Sequence, residues 1–75
     1  MLKPLPYRQV VSALIKLNCE VVRDEESEDH IAVCRGAMKI FNLPKDTVSV
    51  FVLQRMLSCF SFSQQEFLNA LYCIN

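Results

Sequence analysis

The stretch His30-Ile31-Ala32-Val33-Cys34-Arg35-Gly36-Ala37-Met38-Lys39-Ile40-Phe41-Asn42-Leu43-Pro44 decides the fold. It reads in two ways. As a hairpin, His30 to Cys34 and Met38 to Leu43 are strands around the turn Arg35-Gly36-Ala37. Gly36, the only glycine in the chain, then sits where a positive φ angle is most needed. As a helix, Ile31, Cys34, Met38 and Phe41 form an equally regular stripe. Gly36 would then lie in a helix interior, at a cost of about 1 kcal/mol relative to Ala. The position of the glycine favours the hairpin, and Pro44 closes the segment in either case. In the hairpin, Ile31 and Val33 share one face, while His30, Ala32 and Cys34 share the other.

The flanking segments read more simply. Pro6 suits a helix start, and Tyr7, Val10, Val11, Leu14 and Leu17 follow at helical spacing. Arg8, Ser12 and Lys16 lie a turn apart on the opposite side. Asn18 can adopt the left-handed conformation that ends a helix. Cys19-Glu20-Val21-Val22-Arg23 reads as a strand, and residues 24–29 as an acidic loop. After Pro44, Asp46 or Thr47 is expected to cap a second helix. Val48, Val52, Met56 and Phe60 line one edge of it, with Phe51, Leu53 and Leu57 beside them. Ser63 and Glu66 have the spacing of a capping box, with Phe62 and Phe67 at the staple positions. Leu68, Leu71 and Tyr72 are the expected inward face of this last short helix. The order predicts an α+β fold, α-β-β-β-α, with a three-stranded antiparallel sheet bearing helices on one face. The alternative is a small all-α bundle.

Size and charge bound the function. The chain has 75 residues, enough for one domain, and is 52% hydrophobic. A domain of about 60 residues buries only about 60% of its unfolded surface, so apolar surface remains for a protein partner or a second copy in a homo-oligomer. Phe51, Phe60 and Phe62 are candidates for such an interface. Eight basic residues balance eight acidic ones, which argues against nucleic-acid binding by bulk charge. With the acids concentrated at residues 24–29, the rest of the chain is net basic. No apolar run reaches the ~18 residues that span a bilayer, and the N-terminus lacks the pattern of a secretory signal. A soluble cytoplasmic protein without membrane contact is expected. Cys19, Cys34, Cys59 and Cys73 are widely spaced and have one histidine among them, which argues against a zinc site. They read as small hydrophobes.

His30 is the one side chain whose unperturbed pKa lies near neutral pH, and it stands at the start of a strand. As a catalyst it would move a proton; otherwise it closes a strand end and pairs with Asp29. The segments Lys3-Pro4-Leu5-Pro6-Tyr7-Arg8-Gln9-Val10-Val11 and Leu14-Ile15-Lys16-Leu17-Asn18-Cys19-Glu20-Val21-Val22-Arg23 resemble the opening of HicA toxins. These are small ribonucleases of toxin–antitoxin pairs, with a fold like that of double-stranded-RNA-binding domains. His30 through Pro44 is similar to the family's hairpin. Leu53-Gln54-Arg55-Met56-Leu57 and Ser63-Gln64-Gln65-Glu66-Phe67-Leu68 are similar to its closing pattern. The resemblance covers nearly the whole chain, read as a single domain over residues 1–75. It implies a metal-independent endoribonuclease, here weakened or inactive, that needs no cofactor and is restrained by a HicB-like antitoxin; the alternative is a non-catalytic protein- or RNA-interaction module on the same fold. It also implies that His30 is the catalytic acid/base, and Lys16, Arg23, Arg35 and Lys39 are the candidates to hold RNA phosphate. Where the family has Lys-Gly-Ser ahead of its histidine, this chain has Ser27-Glu28-Asp29. Those carboxylates repel an RNA backbone: like charges at ~4 Å cost about 4 kcal/mol at an effective dielectric of 20.

Overall fold

The computed structural model of the chain describes residues 2–22, 27–37 and 39–72. The order is β1 (Leu5–Pro6), α1 (Tyr7–Lys16), β2 (Glu20–Val22), β3 (His30–Arg35), β4 (Lys39–Pro44), β5 (Thr47–Val48), α2 (Val50–Phe60) and α3 (Gln64–Leu71). The fold is α+β, and the all-α alternative is set aside. Strands β2, β3 and β4 form an antiparallel sheet with β3 in the middle. Residues 30–44 are a hairpin in which His30 faces Pro44 and Arg35 faces Lys39. Gly36 turns it with φ +70°. Met38 lies outside the described residues.

Strand alternation divides the sheet cleanly. Val33 and Leu43 belong to the core, and Ile31 and Phe41 pack against it. From the helices come Val10, Ala13 and Leu14 of α1, Leu53, Met56, Leu57 and Phe60 of α2, and Phe67 of α3. Helix α1 ends as expected. Asn18 takes φ 70°, and Cys19 N–H donates to the Leu14 carbonyl at 2.9 Å. The capping box of α3 is complete: Ser63 Oγ accepts from Glu66 N–H and Glu66 Oε1 accepts from Ser63 N–H, each at 3.0 Å. Phe62 and Phe67 are both buried beside it.

Several expectations need correction. Neither Asp46 nor Thr47 caps α2. Ser49 does, accepting from Val52 N–H at 3.2 Å. Thr47 and Val48 are instead β5, paired antiparallel with Pro6 and Leu5 of β1. Val48 therefore enters the core from a strand, and Pro6 precedes α1 as the end of β1. Phe51 is 66% exposed, because the helix starts later and its buried face rotates to Leu53, Met56, Leu57 and Phe60. Tyr72 is 53% exposed and closes α3 rather than facing inward; Phe67 supplies the buried anchor. Of the three phenylalanines considered for an interface, Phe60 and Phe62 belong to the protein's own core.

Candidate functional site

The face of the sheet opposite the helices carries Glu20 and Val22 of β2, His30, Ala32 and Cys34 of β3, and Ile40, Asn42 and Pro44 of β4. None of these residues belongs to the core cluster. Ala32 is fully covered because it is the shortest side chain in the middle of the middle strand, flanked in register by Val22 and Asn42. Ile40 is 46% exposed. Glu20, His30 and Asn42 are exposed. The imidazole therefore starts the central strand on the face opposite the helices.

The backbone around His30 is tightly fixed. His30 N–H donates to Ser27 Oγ at 3.0 Å, and the His30 carbonyl accepts from Ser27 N–H at 3.0 Å. One residue before it, the Asp29 carbonyl accepts from Lys45 N–H at 2.8 Å, which ties this loop to the end of β4. Glu28 and Asp29 are exposed. No ion pair between His30 and Asp29 appears among the described residues. The arrangement can transfer one proton to or from a ligand lying across the sheet.

The cations named from the sequence do not gather there. Arg35 and Lys39 face each other in the last pair of the hairpin and share the parity of Val33 and Phe41, so they lie on the helix side. Arg35 Nη1 donates to the Phe60 carbonyl, and its guanidinium carbon sits 4.2 Å from the centroid of the Phe62 ring. Lys39 Nζ donates to Ser61 Oγ at 3.0 Å. Ser61 itself takes φ 60°, and Phe62 N–H returns to the Leu57 carbonyl at 3.0 Å. Cations at the end of a helix satisfy its free carbonyls and complement its dipole, so these two side chains serve the end of α2. Lys16 Nζ donates to the Ala70 carbonyl of α3 at 3.4 Å. Arg23 and the acids at 24–26 lie outside the described residues.

Sequence reasoning omitted Glu20 and Asn42, which the register sets on the same face as His30. Only the pairing of Glu20 with Cys34 and of Asn42 with Ala32 assigns them, and no local pattern encodes that pairing. Cys19 is buried and free, and burial pushes its thiol above the ordinary value. Cys34 and Cys59 are half-buried and free, and Cys73 lies outside the described residues. Among the described residues no group of three or more His, Cys, Asp or Glu side chains could hold a metal ion. No helix of the described residues is long and apolar enough to cross a membrane. No family model matches the chain, no curated protein is similar to it, and no solved structure matches it.

Proposed function

We propose that the protein is a HicA-like, RNA-cleaving toxin of a toxin–antitoxin pair, with His30 as its single acid/base group and a low turnover. One observation carries the reading: the imidazole is exposed at the first residue of the central strand, on the sheet face the helices leave uncovered. RNA laid across that face would present a 2′-hydroxyl to the ring. His30 would take its proton as the oxygen attacks the adjacent phosphorus. The 5′-oxygen would leave by taking a proton from solvent water, giving a 2′,3′-cyclic phosphate and a free 5′-hydroxyl without metal or cofactor, and the imidazolium would then return its proton to solvent. A HicB-like antitoxin would restrain the toxin by covering the same face, and the pair would act in the cytoplasm. Low turnover follows from the surroundings: Glu28 and Asp29 precede the histidine, and Arg35 and Lys39 serve the end of α2.

That last observation favours a second reading, a non-catalytic RNA- or protein-interaction module on the same fold. Purified RNA and induced growth separate the two. The first expects slow cleavage by the wild type and a loss of about 10²- to 10⁴-fold in His30→Ala, the range of a missing acid/base group, with growth arrest lost in parallel. Identical inactivity of wild type and His30→Ala selects the module.

A further inference from the structure

The outer side of α1 and the end of α3 enclose a second feature, away from the sheet face that carries His30. An open groove of about 410 Å³ is lined by Arg8, Gln9 and Ser12 of α1 and by Leu71 and Tyr72 at the end of α3. Its volume lies in the range of small-molecule sites, about 300–1,000 Å³. Its chemistry is asymmetric. Arg8 and Ser12 are one helical turn apart and so line the same wall. The guanidinium is exposed, and its ring contact is with Tyr7, 5.9 Å from the centroid. Among the described residues no carboxylate lines the groove. On the other wall Leu71 is half-buried and Tyr72 is 53% exposed, an aromatic ring lacking the cover an inward-facing residue would have.

We propose that this groove binds a nucleoside phosphate. Arg8 holds the phosphate, where a planar fork of donors matches two phosphate oxygens. The Ser12 hydroxyl donates to a third oxygen. Tyr72 offers its ring to the base, a contact that tolerates any base because each has a π-face. Gln9, with both an amide donor and an acceptor, reads the base edge or the sugar. The ligand is either a free nucleotide or a nucleotide at the end of an RNA strand, since both present the same phosphate and ring. The site stands on residues unrelated to His30 and holds whether or not that imidazole cleaves RNA.

The test is titration of the full-length, isotope-labelled protein followed by backbone amide shifts. The probes are adenosine 5′-monophosphate, adenosine, inorganic phosphate and a short oligoadenylate. The expected result is that adenosine 5′-monophosphate moves the amides of Arg8, Gln9, Ser12, Leu71 and Tyr72. Adenosine and phosphate alone should each bind at least tenfold more weakly. Arg8→Gln and Tyr72→Ala should each weaken the monophosphate about tenfold, with the circular dichroism of the fold unchanged. Oligoadenylate binding more tightly than the monophosphate identifies an RNA end as the source, and equal binding identifies the free nucleotide. Undiminished binding by Arg8→Gln, equal affinity for adenosine, or shifts confined to residues 30–44 overturns the proposal.

Discussion

A methyl group added at Gly36 would meet nothing within 4 Å, yet φ there is +70°. The cost of Gly36→Ala is thus conformational alone, about 1–2 kcal/mol for an L-residue held left-handed. Asn visits that region more readily, so Gly36→Asn should lose less. Urea unfolding followed by circular dichroism should rank the three as Gly, then Asn, then Ala. This turn was legible because a single glycine sat between two apolar runs. Asn18 was legible for a similar reason, since its side chain tolerates the same conformation. Ser61 was not. Its left-handed φ of 60° follows from burial of Phe62 beyond it and from Arg35 and Lys39 closing over the helix end. Both cations entered as candidate phosphate ligands beside the family resemblance, and the register sets them on the helix side of the sheet.

Helix α3 has the most complete local code, and it carries a pH signature. Glu66 sits below the ordinary carboxylate range because the Ser63 N–H and hydroxyl hold its charged form, with Arg35 adding a smaller attraction. A carboxylate lowered on folding contributes stability that is fully present above its unfolded pKa, about 4.3. The contribution is lost as pH falls through the folded value. Ser63→Ala should cost about 1 kcal/mol at neutral pH. The gap between the two proteins should narrow as pH drops below about 4, as read by thermal unfolding across pH. Helix α2 shows the opposite case. Its start was placed at Asp46 or Thr47, and the structure moves it to Ser49. All three residues can cap. What selects Ser49 is the pairing of Thr47 and Val48 with Pro6 and Leu5, a non-local contact that leaves no periodic trace.

For the molecule as a whole, margins are small. At about 0.05–0.15 kcal/mol per residue, a chain of this length holds about 4–11 kcal/mol in total. Phe60 is fully buried, with its ring centroid 6.4 Å from Phe41 and 6.2 Å from Phe62. It therefore joins the sheet, α2 and the turn into α3. Phe60→Ala should cost about 3–5 kcal/mol and leave a protein largely unfolded at 37 °C. Phe60→Leu should remain folded with a lower midpoint by differential scanning calorimetry. The α+β layout was readable because α1, β2, β3, β4, α2 and α3 each carry a local signal, whereas β1 and β5 do not. The candidate site was only half readable. His30 and its face followed from strand alternation, whereas the separation of His30 from Arg35 and Lys39 depended on the parity of the register. The contact between β1 and β5 joins the chain across about forty residues through two residue pairs and the bond from Tyr7 N–H to the Asp46 carbonyl. Closing so long a loop costs entropy, which burial of Leu5 and Val48 must offset because the backbone pairing spans only two residue pairs. This seam is therefore the last to be sewn during folding and the first to fray. Deuterium should replace the Tyr7 amide proton well before that of Val33, and the beginnings of α1 and α2 should loosen together while the hairpin stays shut.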